Sequence, residues 1–208
     1  MSIYVVLSRS STVLSRTIRL ATRDEYTHAA LALDADLEFM FSFGRRRASN
    51  PFVGCFKRER LDDELYRTMD RLPGVVLEVP VTPEQREAVG ARVAEFVLDS
   101  HTYAYNAPGL LTGLLGRGSE DDRRFFCSEF VYHVLRDAGV CDLGIPRWQV
   151  RPQTLLQVPG TVVYRGDLKR YRAADLAVAP VPALTLQGPG GLFSVPHTAP
   201  HTGVPVRS

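Results

Sequence analysis

Cysteine is scarce in this chain, and the three that occur, Cys55, Cys127 and Cys141, form neither an even set nor a CxxC pair. Neither a disulfide framework nor a zinc ribbon is suggested, so a cysteine with a special role is expected to be a free thiol. Lysine is scarcer still: of 25 basic residues only Lys57 and Lys169 are lysines. The arginines are scattered among 23 acids for a formal net charge of +2. That reads as composition bias, and no nucleic-acid partner is expected. One local cluster, Arg45-Arg46-Arg47 followed by Lys57-Arg58 and Arg60, reads first as a solvated loop and second as a surface for an anionic substrate or lipid.

Long hydrophobic runs are also missing. Nothing approaches the roughly 18 to 20 apolar residues of a membrane helix, and the opening Met1-Ser2-Ile3-Tyr4-Val5-Val6-Leu7 has no basic region before it. The expectation is a cytoplasmic protein without a transmembrane segment. No internal repeat, GxGxxG, P-loop or HExxH is present, so neither a nucleotide nor any other cofactor is expected. Metal binding through Cys127, Cys141 and His28 has no ligand spacing behind it.

What is present is a real core. Among 208 residues, 45% are hydrophobic and 23% charged, ordinary values for one globular domain. Residues 1–175 are read as that domain. Residues 176–208, rich in Ala, Val, Pro and Gly and poor in charge, are read as a disordered tail. Ile3 to Leu7 reads as a buried strand, and Val13 to about Thr22 as a short amphipathic helix. Two extended segments, His28 to Leu33 and Leu37 to Phe43, flank Asp34-Ala35-Asp36, a composition suited to a tight hairpin turn.

Gly44 to Pro73 is polar and weakly periodic and is read as long loops with a helical turn near Asp62 to Thr68. Gly74 to Val81 reads as a strand. Thr82-Pro83-Glu84-Gln85 supplies an N-cap, a proline at N1 and a capping-box glutamine, starting a helix that runs to about Asp99. Tyr103 to Gly118 reads as a loop or broken helix. Phe125 to Ala138 carries the strongest helical periodicity, with Gly139 placed to end it. Thr161 to Tyr164 reads as a last strand.

Phe125-Phe126-Cys127-Ser128-Glu129-Phe130-Val131 puts a cysteine in the first turn of that helix. There the unpaired backbone N–H groups and the positive end of the macrodipole favour thiolate over thiol. Such a nucleophile needs a base. His197 and His201 fall in the tail, His101 in a polar helix exit, and His133 six residues past Cys127, about 240° round the helix. His28 remains, opening a strand after the polar run Arg23 to Thr27.

Together, Thr27-His28-Ala29-Ala30-Leu31-Ala32-Leu33 before a hairpin and FFCSEFV on a later helix resemble the circularly permuted NlpC/P60 papain-like proteins. That group contains the YiiX-type and lecithin:retinol acyltransferase-like enzymes. The resemblance spans roughly residues 1 to 170 by order of elements. It implies an α+β fold of papain-like type, an antiparallel sheet packed against the helix that carries the cysteine. It also implies Cys127 as nucleophile, His28 as base, and a third polar residue on the strand after the histidine strand. With a three-residue turn, His28 falls opposite Ser42, the first choice for that residue, and Glu38 on the same face is the second. The His, Asn or acid usual there is absent. Tyr105 stands where the family often has a tyrosine near the oxyanion, and Ser128 follows the cysteine as a further oxyanion or substrate-binding candidate.

The implied activity is a hydrolase or acyltransferase, amidase or peptidase in the first instance, acting on an amide, ester or thioester carbonyl of a small-molecule, peptide or lipid-like substrate. A binding module on the same fold without catalysis is the alternative.

Overall fold

The computed structural model describes residues 1–9, 22–47, 50–105 and 121–177. Six strands form one antiparallel sheet: β1 (Ser2–Ser8), β2 (His28–Ala32), β3 (Met40–Arg47), β4 (Asn50–Glu59), β5 (Pro73–Pro80) and β8 (Thr161–Asp167), in the order β4-β3-β2-β1-β5-β8. Three α-helices join it among the described residues, α1 (Glu64–Arg67), α2 (Pro83–Leu98) and α3 (Cys127–Asp137). Two short strands, β6 (Ala104–Tyr105) and β7 (Arg124–Phe125), pair in parallel just ahead of α3. The fold is therefore α+β with an antiparallel sheet. The expected helix before Thr22 and the tail beyond Ala177 lie outside the described residues.

Both faces of the sheet are covered, which is why β1 reads as an unbroken apolar run. On the inner face Ile3, Val5, Leu7, Leu31, Phe43 and Leu77 pack against Val89, Val93 and Phe96 of α2 and Phe130, Val131, Val134 and Leu135 of α3. On the outer face Tyr4, Val6, Ala30, Met40 and Val76 meet Tyr66, Met69, Leu72, Leu168 and Tyr171. The helix α2 starts as its sequence dictates: Thr82 caps the amide of Gln85, and the Gln85 side chain caps Thr82 in return. The helix α3 ends at Gly139, whose φ of 65° lies in the left-handed region that glycine tolerates.

Two expectations are corrected. The hairpin does not turn at Asp34 to Asp36 with Leu33 opposite Leu37. The register pairs Leu31 with Phe41 and Ala32 with Met40, because the Asp34 carboxylate accepts from the amides of Glu38 and Phe39 at 2.9 and 2.7 Å and Leu37 folds into the outer core. Continued along the strands, this register sets Gly44 opposite His28 and Ser42 opposite Ala30.

Nor is Gly44 to Pro73 a set of long loops. β3 continues through Arg47, and β4 returns beside it from Asn50 to Glu59. Phe56 anchors β4 in the inner core against Phe41, Phe43, Phe96 and Phe130. The outer-face partners of that phenylalanine are Lys57 and the buried Glu59, so the alternation that marks a strand is hidden by charge.

Candidate functional site

Cys127 is the first residue of α3 and is buried. Its position is fixed from both sides. Phe125 and Phe130 sink into the inner core, with ring centroids 5.4 and 5.7 Å from Phe43. The Glu129 carboxylate reaches back to accept from the Phe126 amide at 2.7 Å, closing the helix start.

His28 is the first residue of β2, held where the Thr27 amide donates to the Ser8 carbonyl at 2.9 Å. Its side chain is 18% exposed, and its Nε2 lies 2.9 Å from Oε2 of Glu59, which is 1% exposed. Ser42 Oγ lies 3.4 Å from the same nitrogen. The structure thus brings His28 and Ser42 together, and the Cys127 side chain lies close enough to the same ring to favour its charged form.

Burial alone would lower the pKa of the imidazole. The Glu59 carboxylate overrides this, and with the Cys127 side chain it raises His28 to about 10. Burial likewise opposes ionisation of Glu59, but His28, Lys57 and Ser42 hold its carboxyl well below the ordinary range. Lys57 Nζ stands 3.3 Å from Oε1, and the Tyr66 hydroxyl donates to Oε2 at 2.9 Å. Gly44 leaves room for this cluster, since a Cβ there would stand 3.0 Å from both Glu59 Oε1 and Lys57 Cε.

Glu59 is the residue that sequence reasoning missed. The acid beside His28 lies on β4, one strand beyond the strand that carries Ser42. Reading Phe56-Lys57-Arg58-Glu59 as a strand, with Phe56 inward, would have placed the acid on the face opposite Phe56.

The other candidates fare differently. Glu38 is exposed in the β2–β3 connection, where its amide is bonded to Asp34 and its carbonyl accepts from Arg58 Nε at 2.8 Å. It is not brought to His28, because the longer turn keeps it out of the strand. The Ser128 side chain is also spoken for: its hydroxyl donates to the Val150 carbonyl at 2.6 Å, tying α3 to the segment that follows. Its single hydroxyl proton is thereby engaged by the backbone. Tyr105 lies on β6, where its backbone pairs with Phe125 two residues before Cys127.

His133 packs edge-on against Phe96 and tilted against Phe125. Burial first, then Arg147 and other arginines, lower its pKa despite Asp137. His101 is exposed after α2. Among the described residues no group of three or more His, Cys, Asp or Glu side chains is arranged to hold a metal. No helix of those residues is long and apolar enough to cross a membrane.

No family model matches this chain, and no curated protein does. Among solved structures, the chain is similar to the metalloprotein yiiX from Escherichia coli O157:H7, DUF1105. The two are 18% identical, the match covers 79% of this chain and 97% of that one, and the TM-score is 0.43. A likeness of that size adds nothing to what the geometry says about chemistry.

Proposed function

We propose that the chain is a cysteine-nucleophile hydrolase or acyltransferase that forms an acyl-enzyme on Cys127. The observation that carries this reading is the His28–Glu59 pair, an imidazole nitrogen 2.9 Å from a buried carboxylate, with Cys127 at the start of α3 favouring the charged form of the same ring. With Nε2 engaged by Glu59, Nδ1 is the nitrogen left to serve the thiol. Cys127 Sγ attacks a carbonyl carbon, and the proton held by His28 goes to the leaving group as its bond to carbon breaks. The N–H groups at the start of α3 stabilise the negative oxygen. Water or a second nucleophile, deprotonated by His28, then releases the acyl group.

Amides, esters and thioesters all pass through this intermediate, so peptides, small molecules and lipid-like acyl donors are the proposed substrate class. The order His strand, then Cys helix, supports placing the fold with the circularly permuted NlpC/P60 papain-like proteins. A binding module without catalysis is the alternative, and its main ground, the lack of an acid beside His28, is met by Glu59.

The test is intact-mass spectrometry of the wild type, Cys127→Ser and His28→Ala with a panel of acyl thioesters, esters and amides. Labelling is expected on Cys127 alone, abolished in Cys127→Ser, and in His28→Ala slowed by about 10²- to 10⁴-fold and slow to clear. Equal labelling of Cys55, Cys127 and Cys141, indifferent to His28→Ala, would leave the binding module as the better reading.

A further inference from the structure

Tyr66 is a buried phenol that the acyl-transfer steps do not use. It lies in α1, and the connection carrying it is braced: the Tyr66 amide donates to the Asp63 carbonyl at 2.9 Å, and the Arg60 amide to the Asp63 carboxylate at 3.0 Å. The ring fills the outer core, 3% exposed, beside Met69 and Leu72. Packing alone would be served as well by phenylalanine. Burying the hydroxyl is costly unless it is bonded, and its partner is Glu59 Oε2, the same oxygen that faces His28. A donor on a carboxylate favours the ionised form, and a charged acceptor makes the bond one of the stronger kind. Lys57 Nζ takes the other oxygen at 3.3 Å.

We propose that Tyr66, assisted by Lys57, is a positioning residue: from the outer core it holds the Glu59 carboxylate in place and aimed at His28, and through that pair it tunes the reactivity of Cys127. The inference rests on the acyl-transfer reading. The groups facing Glu59 are His28 from β2, Ser42 from β3, Lys57 from its own strand and Tyr66 from α1, with Cys127 reached through His28 from α3 and Asp63 facing Tyr66. Burial first and then Glu59 push the Tyr66 hydroxyl well above its ordinary pKa, so it stays a donor across the working range. Removing it makes the carboxylate easier to protonate and the imidazolium beside Cys127 less favoured.

The experiment is the pH profile of Cys127 alkylation by iodoacetamide, resolved from Cys55 and Cys141 by peptide mass. The variants are Tyr66→Phe, Lys57→Met, Glu59→Gln and the two crosses with Glu59→Gln. Tyr66→Phe is expected to move the acid limb up by about one pH unit, slowing alkylation about tenfold below it. Lys57→Met should move it the same way, and neither should move it further in the Glu59→Gln background. A wild-type profile in Tyr66→Phe, or an equal shift with and without Glu59, overturns the inference. Should Tyr66→Phe unfold the chain, Lys57→Met and its cross decide by the same criteria. A wild-type Cys127 that alkylates no faster than Cys55 and Cys141 at neutral pH sinks the acyl-transfer reading itself. An activated Cys127 with unmoved variants sinks only the role of Tyr66.

Discussion

His28 and Glu59 hold each other charged although burial opposes both. The sign of the resulting pH dependence follows from which state binds the proton. His28 is raised from 6.5 to about 10 on folding, so the native chain keeps a proton that the unfolded chain releases between those values. Its contribution is full below 6.5 and is lost as pH rises through the native value of about 10. Glu59 behaves oppositely: its contribution is present above 4.5, the ordinary value, and is lost as pH falls through the lowered native value. The expected outcome is that stability to urea declines by a few kcal/mol, in order of magnitude, between about pH 6.5 and 10, and that Glu59→Gln flattens this slope. Equal slopes in wild type and variant would show that the pair does not carry it. These residues were unequally legible. Cys127 and His28 stand at element starts that capping and patterning reveal. Glu59 lies among Lys57, Arg58 and Arg60, where a buried acid looks like one more surface charge. A three-residue turn sets Ser42 opposite His28, and the actual register is two residues away from that. The serine comes near on the diagonal instead, its Oγ 3.4 Å from Nε2.

Among the elements, α3 and α2 were readable end to end because their signals are local: a capping box, a proline at N1, a left-handed glycine after the last turn. The β3–β4 hairpin was not, because what makes it a strand pair is tertiary. Phe56 finds its aromatic partners on β3, α2 and α3, and no local window contains them. The same dependence on distant partners decides what Ser128 does. Its hydroxyl binds the Val150 carbonyl at 2.6 Å, and both residues are buried. Ser128→Ala therefore strands a buried acceptor and should cost about 1 to 3 kcal/mol in chemical denaturation. It should leave the rate of Cys127 alkylation near that of the wild type, since the serine hydroxyl is engaged by Val150. A variant of full stability whose Cys127 loses its reactivity would instead assign the hydroxyl to the site.

At the scale of the whole molecule, the sheet needs cover on both faces, and the chain's last described stretch provides the outer one. After β8 pairs with β5, Leu168 and Tyr171 turn back over Val6, Val76 and Met40. Tyr171 stacks edge-on against Tyr164 with centroids 5.2 Å apart, and its hydroxyl donates to the Ala35 carbonyl at 2.6 Å. That bond locks the far end of the chain onto the β2–β3 turn. Leu176 adds a last apolar contact on the same face. Folding therefore draws on residues up to that point. A chain ending at Ala177 is expected to melt with the full-length protein. One ending at Arg170 forfeits a buried aromatic ring and its hydrogen bond, and should lose about 3 to 5 kcal/mol, read as a lower denaturation midpoint. Because Tyr66 shares this outer core, the shorter chain should also raise the acid limb of Cys127 alkylation. If the chain ending at Ala177 melted several degrees lower, residues 178–208 would belong to the folded domain.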